Sequence, residues 1–251
     1  MKLIPSTLYV AATPIGNLED ISYRAVQVLQ DCDAVVCEDT RITVRLLKRY
    51  EIPHKPLITH YKHREEKAVE PVLQALGEGK TLVLVSDAGT PGISDPGFFL
   101  VSEVLKAGFE VVPLPGPAAA TALLSVSHIP TQHFYFEGFL PHKKGRQTRL
   151  KYLAQLDCGV CFYESTHRIM KFLGEILEFF GDRELLAGRE LTKMHETFFR
   201  GTVSEAIAFF ETHSQKGEFT VYVAGNTGIT QSISFFQTEQ YGLRSPVTGH
   251  W

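Results

Sequence analysis

The chain has 251 residues, 44% of them apolar, and a formal charge of −3 from 25 Lys and Arg against 28 Asp and Glu. That length buries a substantial core as one large domain or two small ones, and the slightly acidic balance excludes a protein that coats nucleic acid indiscriminately while allowing a local basic patch. No window approaches the roughly 20 apolar residues of a membrane span, and residues 1–5 lack the core and cleavage site of a signal peptide, so a cytoplasmic location is expected.

The first half alternates strand and helix. Residues 8–12 read as a strand, and Thr13-Pro14-Ile15-Gly16-Asn17-Leu18-Glu19-Asp20 delivers it to a helix striped with Ile21, Ala25, Val28 and Leu29. A second strand, 34–37, ends in Glu38-Asp39-Thr40-Arg41, two acids and an arginine at a carboxyl end, before a helix carrying Val44 and Leu47. A short strand at 57–59 precedes a charged helix with Val69, Val72, Leu73 and Leu76 on one face and a kink or late start at Pro71.

Residues 81–97 organise the rest. The run Thr81-Leu82-Val83-Leu84-Val85 is apolar on both faces, as a central parallel strand requires, and it breaks into Ser86-Asp87-Ala88-Gly89-Thr90-Pro91-Gly92-Ile93-Ser94-Asp95-Pro96-Gly97. A helix striped with Phe98, Val101 and Leu105 follows, with Asp95 suited to its N-cap, Pro96 to its first position and Gly108 to its stop. Gly89 and Gly92 permit a ligand to approach backbone where a Cβ would collide, and open α/β sheets bind ligands beyond their carboxyl ends. A strand at 111–114 then enters Pro115-Gly116-Pro117-Ala118-Ala119-Ala120, a second small-residue junction facing the same crevice.

Residues 127–132 read as a domain boundary. Beyond it come a strand at 134–136, a loop with Pro141-His142-Lys143-Lys144-Gly145-Arg146, a helix with Leu150 and Leu153, and a strand at 160–163 meeting Glu164-Ser165-Thr166-His167-Arg168. The next helix has the cleanest stripe, Ile169, Phe172, Leu173, Ile176, Leu177 and Phe180, ended by Gly181. Further strands are expected at 185–187, around Phe198 and Phe199, and at 219–223, with a Thr202/Glu205 capping box starting a helix with Ile207 and Phe210. The expected division is thus 1–126, 127–225 and an irregular or partly disordered tail at 226–251.

Of the four cysteines, Cys158 and Cys161 form one CxxC pair, but Cys161 falls in a strand pattern and no second pair follows, so buried free thiols are expected. His54, His60 and His63 read as a solvated face, and no metal site is expected. The P-loop pattern and a GxGxxG after the first strand are both absent.

In order along the chain stand Thr13-Pro14-Ile15-Gly16-Asn17-Leu18, Glu38-Asp39-Thr40-Arg41, Ser86-Asp87-Ala88-Gly89-Thr90-Pro91, Ser94-Asp95-Pro96-Gly97, Pro115-Gly116-Pro117, Gly138-Phe139-Leu140-Pro141, Tyr163-Glu164-Ser165, His167-Arg168 and Arg189-Glu190-Leu191-Thr192-Lys193. Over roughly residues 7–225 this series resembles the bacterial ribosomal RNA small-subunit methyltransferase I family, within the tetrapyrrole methylase superfamily. The resemblance implies a two-domain α/β fold, each domain a mixed, mostly parallel sheet flanked by helices, with S-adenosylmethionine in the cleft between them. It also implies methylation of a cytidine ribose 2′-hydroxyl in the decoding region of 16S rRNA, within the small ribosomal subunit, by a homodimer. Thr166 departs from the family, which usually has proline there, and the tail matches nothing in it.

On this reading the cofactor touches Pro14, Asp87, Ala88, Gly89, Ile93, Ser94, Ala118 and Ala119, mainly through backbone. A 2′-hydroxyl must lose its proton during or after attack, and Glu38, Asp39, Glu164, Lys193 and Glu196 are the candidate acceptors. Lys193 serves only if its pKa is lowered and otherwise holds a phosphate, while Arg41 and Arg168 are natural phosphate or carboxylate forks. Lys143, Lys144, Arg146, Arg149 and Lys151 form the densest basic stretch, a candidate RNA rim, and His142 and Tyr163 are candidates to stack a splayed base. Two rival functions remain: a tetrapyrrole C-methyltransferase with an enclosed, arginine-lined slot, and a non-enzymatic ribosome-assembly module that binds no donor.

Overall fold

The structure is a computed structural model that describes residues 2–60 and 66–226. Its first half is a wholly parallel five-stranded sheet in the order β3-β2-β4-β1-β5. The strands are β1 (Thr7–Ala11), β2 (Ala34–Cys37), β3 (Leu57–Thr59), β4 (Leu82–Val85) and β5 (Glu110–Leu114). Four helices cover it: α1 (Tyr23–Asp31), α2 (Thr40–Arg49), α3 (Glu66–Gly77) and α4 (Phe98–Lys106). The two-sided apolar character of β4 has a direct cause. Leu82 and Leu84 pack with Val72 and Leu76 of α3 and Leu100 and Val104 of α4, whereas Val83 and Val85 pack with Val28 and Leu29 of α1 and Leu47 of α2.

Three expectations need correction here. Gly97, at φ +141°, holds the N-cap of α4, so Asp95 and Pro96 lie in the loop before it, where the Pro96 carbonyl accepts from Gly92 N–H at 3.1 Å. Because α4 is apolar nearly all round, periodicity alone did not fix its phase: Leu100 and Val104 are buried, while Phe98 and Leu105 are exposed. On α2 the buried stripe is Thr43, Leu46 and Leu47, and Val44 faces solvent. Gly108, at φ +85°, does end α4 as expected.

The second half contains α5 (Ala119–Leu124), β6 (Phe134–Phe139), α6 (Arg146–Leu153), β7 (Gly159–Ser165), α7 (Ile169–Phe180), β8 (Glu184–Arg189), β9 (Thr197–Thr202), α8 (Val203–Thr212) and β10 (Glu218–Val223). Its sheet runs β6-β7-β10-β8-β9, with β6 and β7 parallel and the other pairs antiparallel. Alternation assigns its faces. Val160, Phe162, Leu185, Ala187, Phe219 and Val221 face the helices α6, α7 and α8, and Cys161, Leu186 and Tyr222 face the other way. That second face is covered by α5 through Ala120, Leu123 and Leu124, although the helix precedes the expected boundary at 126/127. The Thr202/Glu205 capping box forms on α8, and Gly181 ends α7 at φ +79°.

The four cysteines are free, with Cys158 partly exposed and the others buried. His60, expected on a solvated face, is buried beside β2 and donates its backbone N–H to Cys37 O at 2.8 Å; His63 lies outside the described residues. Of the expected tail only Asn226 is described; its amide donates to Leu156 O at 2.6 Å.

Candidate functional site

The topology points to one crevice. Strands β1 and β4 are neighbours, yet α1 leads from β1 to β2 on one side and α4 leads from β4 to β5 on the other, along opposite faces of the sheet. Such a switch point opens a gap outside the carboxyl ends of the two strands. Four loops meet there and are tied together. Thr13 and Gly89 exchange backbone hydrogen bonds of 2.8 and 3.0 Å, and Thr13 Oγ1 donates to Ser86 O at 3.0 Å. Asp87 Oδ1 accepts the Asp39 N–H at 3.1 Å, and Thr90 Oγ1 donates to Pro117 O at 3.2 Å. The loops after β1, β2, β4 and β5 therefore form one connected rim.

The second half closes against this rim. Gly138, on β6 at φ +67°, lies against the Ser94 side chain, and a Cβ there would overlap the Ser94 hydroxyl. Gly16 lies under Thr192 and Lys193, and the Asn17 N–H donates to Thr192 Oγ1 at 3.0 Å. The Ala120 N–H donates to the Tyr163 hydroxyl at 3.2 Å. Of the five described non-glycine residues at positive φ, Ser94, Glu190 and Thr192 stand at this junction. Thr192 is β-branched, for which φ +64° is a genuine outlier, and strain of this kind collects at functional sites.

Among the expected cofactor residues, Pro14 is buried under the β1 loop, Ala88 is exposed, Gly89 takes φ +82°, and Ile93 is about half exposed although apolar. Ser94 takes φ +64°, Ala118 is the N-cap of α5 and Ala119 its first residue. Asp87 is drawn inward by the Asp39 amide. The result is a floor of main chain and small side chains.

The charged candidates fall into groups on the two halves. Glu38 is half-buried at the end of β2. Asp39 caps α2 by accepting the Arg41 N–H at 2.8 Å and pairs with the Arg41 guanidinium at 2.6 Å, and the hydrogen bonds from Arg41 hold its carboxyl down at about 2. On β7, Glu164 is buried: Oε1 accepts the Ser165 N–H and pairs with Arg168 Nε, both at 2.7 Å, while Oε2 makes no hydrogen bond and faces Arg146 Nη2 at 4.0 Å. Arg168 reaches His142 at 3.0 Å. Lys193 lies between Glu190, at 2.9 Å, and Glu218, at 2.8 Å. Burial pulls the pKa of Lys193 down, but those two carboxylates outweigh it and the value is raised, which removes Lys193 as a base near neutrality. Glu196 spends Oε1 on the Thr192 N–H at 2.7 Å.

The basic stretch divides. Arg146, expected on an RNA rim, is 6% exposed and pairs with Glu175 at 2.6 Å, so its charge is spent inside the protein. Arg149 is likewise drawn to Glu137 at 2.6 Å and to the Tyr135 hydroxyl. A helix has an inward side, and sequence density of charge does not show which members point to it. Lys143, Lys144 and Lys151 are exposed. Tyr163 is not open to stack a base: its ring meets Phe136 and Phe139 edge-on at 5.2 and 5.6 Å, and burial pushes its hydroxyl up to about 12.

Two contributors were missed as site residues although both lie in or beside the quoted motifs. Arg189 gathers Lys216 O, His195 O and Thr197 Oγ1 and so shapes the loop carrying Thr192 and Lys193. Thr166 Oγ1 both donates to Gly217 O, at 2.7 Å, and accepts the Gly217 N–H, at 2.6 Å. Among the described residues no group of three or more His, Cys, Asp or Glu side chains is placed to hold a metal ion, and no helix is long and apolar enough to cross a membrane.

Residues 7–207 match the family described as Tetrapyrrole (Corrin/Porphyrin) Methylases. Among solved structures, a cobalt precorrin-4 methyltransferase involved in cobalamin biosynthesis aligns with TM-score 0.63 at 19% identity, covering 88% of this chain and 95% of its own. A Thermus thermophilus uroporphyrin-III C-methyltransferase complexed with S-adenosyl homocysteine aligns with TM-score 0.63 at 17% identity, covering 88% and 98%. Those similarities establish the fold. Sequence relatives go further: "Ribosomal RNA small subunit methyltransferase I" of Thermotoga maritima is 47% identical over 218 residues, 87% of this chain and 98% of the relative. The protein of that name from Bacillus subtilis is 43% identical, covering 87% and 75%. With this identity along the length that forms both sheets and the rim between them, the chain belongs to the ribosomal RNA small subunit methyltransferase I family of the tetrapyrrole methylases.

Proposed function

We propose that the protein transfers a methyl group from S-adenosylmethionine to the ribose 2′-hydroxyl of a cytidine in the decoding region of 16S rRNA, acting in the cytoplasm on the small ribosomal subunit and as a homodimer. The observation that carries this reading is the rim of four interlocked loops at the β1/β4 switch point, opposed by the loops of the second half. It fits a methyl donor: Ala88, Gly89, Ala118 and Ala119 present backbone with almost no side chain, and Ile93 adds an exposed apolar surface. When bound, S-adenosylmethionine supplies a methyl already activated on a sulfonium.

The chain's own task is then alignment of the incoming oxygen and removal of its proton. Asp39, Glu164 and Glu196 are engaged in a cap, a buried ion pair and a loop bond, and Lys193 stays an ammonium. Glu38, which keeps contacts of its own within the protein, is assigned as the acceptor together with bulk water because it stands half-buried at the carboxyl end of β2, where the crevice opens. We assign Arg168, which pairs with Glu164, to hold a substrate phosphate.

The test is transfer of labelled methyl from S-adenosylmethionine to three acceptors: small subunits lacking the modification, naked 16S rRNA, and a tetrapyrrole precursor. Label recovered as 2′-O-methylcytidine, strongest on the subunit, is expected. Label on the tetrapyrrole alone would replace the substrate and leave the fold as described, and donor binding with no label anywhere would favour an assembly role.

A further inference from the structure

Helix α2 contains Arg41, Arg45, Lys48 and Arg49 and no acid, in a chain whose formal charge is −3. Its buried stripe is Thr43, Leu46 and Leu47, so Arg41, Val44, Arg45 and Lys48 share the solvent side. The i, i+4, i+7 spacing of the three cations sets them along one line about 10 Å long. Lys48 and Arg49 sit at the negative end of the helix dipole, where cations stabilise a helix whatever else they do. Arg41 has no such excuse. It stands in the first turn, the positive end, and is held there by Asp39 with its side chain 85% exposed. Among the described residues, neither Arg45 nor Lys48 makes an ion pair.

The same side is concave. Asp39, Thr40, Arg41, Ile42, Val44 and Arg45 line an open depression, with Val44, about half exposed, among the charges. Its inner end is Asp39, whose amide is bonded to Asp87 in the rim of the candidate site. Cations that run outward from a catalytic rim, with an apolar spot between them, match a nucleic-acid strand whose phosphates pair with the cations and whose sugar or base edge covers the valine.

We infer that the solvent face of α2 is a phosphate-tracking surface that leads the RNA substrate to the site. The inference rests on the rRNA reading above and names a surface on the first half, whereas Lys143 and Lys144 belong to the second. Arg45 and Lys48 carry affinity, not chemistry.

The experiment uses the full-length chain and three variants: Arg45→Ala with Lys48→Ala, Arg45→Lys with Lys48→Arg, and Lys106→Ala on α4 as a charge-loss control. Binding to naked 16S rRNA and to small subunits is titrated between 50 and 200 mM salt, with methyl transfer, binding of S-adenosylhomocysteine and sedimentation measured alongside. Loss of two phosphate contacts lowers the steepness of log K against log salt by roughly 1.4 to 1.8. The wild-type advantage over the double alanine variant therefore shrinks about tenfold across that salt range. The defect is expected in KM, with S-adenosylhomocysteine binding unchanged, and the Lys/Arg exchange restores it; Lys106→Ala keeps the wild-type slope. A double alanine variant with wild-type slope and KM overturns the inference, provided the wild type labels rRNA. A variant that changes sedimentation but not the salt slope also overturns it, and makes the face a contact between copies. A wild type that neither binds nor labels rRNA defeats the reading of the reaction itself.

Discussion

The backbone N–H of Asp39 donates to Oδ1 of Asp87 across 3.1 Å, joining the loop after β2 to the loop after β4. A hydrogen bond to a carboxylate contributes about 1.5–3 kcal/mol. Asp87→Ala removes this tie and releases the loop after β2 from the rim, and it is expected to weaken S-adenosylhomocysteine binding by tenfold or more in calorimetric titration. Asp87→Asn, which keeps an acceptor, should lose less; equal affinities for wild type and both variants would show that the rim forms without this tie.

Lys193 gives a pH prediction with a definite sign. Its pKa is raised in the folded protein, so its contribution to stability is complete below the unfolded value of about 10.5 and is lost as pH climbs through the higher folded value. Lys193→Met should flatten the alkaline fall in stability measured by denaturant titration. The activity profile between pH 6 and 9 should keep its shape in Lys193→Arg, and a basic limb that vanished in that variant would restore lysine as the proton acceptor.

Arg146 is a structural cation. Its removal takes from half-buried Glu175 its 2.6 Å partner and from the unbonded Oε2 of buried Glu164 its nearest cation, while Arg168 still holds Glu164 Oε1, so the loss should approach the lower end of the about 3–5 kcal/mol that breaking a buried pair costs. Urea denaturation of Arg146→Ala should register that loss. Lys143→Ala and Lys144→Ala, at exposed positions, should stay within about 0.5 kcal/mol of wild type.

Thr166 makes a reciprocal pair of hydrogen bonds with Gly217, which pins the end of β7 to the turn before β10. Each contributes about 0.5–1.5 kcal/mol. Thr166→Pro deletes both bonds, so the melting temperature should fall, as it should for Thr166→Ala. A rise would mean that proline's restricted backbone outweighs the lost bonds.

Gly138→Ala meets two obstacles at once, a φ of +67° and the Ser94 hydroxyl in the space of the new methyl. It should lose stability by more than about 1 kcal/mol and weaken donor-analogue binding by moving Ser94. Unchanged binding would detach Ser94 from the donor site.

What was legible in the sequence was whatever a single element decides for itself. Two apolar faces on residues 82–85 demand helices above and below; Thr202 with Glu205, and Gly181, mark helix ends by local chemistry. The loops that meet at the rim were legible because small residues at 88–89 and 118–119 follow two strand patterns, and the structure ties those loops together. What stayed hidden depends on distant partners. The phase of α4 follows from the sheet it lies on, the inward turn of Arg146 from Glu175, and the importance of Thr192 from Asn17 on the other half. The exposed basic face of α2 was hidden by the shorter spacing of the lysines and arginines at 143–151, although only structure shows which of those charges reach water.

The position of α5 has a consequence for how the chain comes into being. As synthesis proceeds from the N-terminus, the parallel sheet can assemble once β5 has emerged, but Ala120, Leu123 and Leu124 have no seat until β8 and β10 supply Leu186 and Tyr222. During that interval the nascent protein carries a sticky, uncovered helix, a natural client for a chaperone. For the same reason a fragment cut after residue 126 should aggregate where one cut before α5 stays in solution, and the two halves are not exchangeable modules: the last helix made before the boundary is part of the other half's interior.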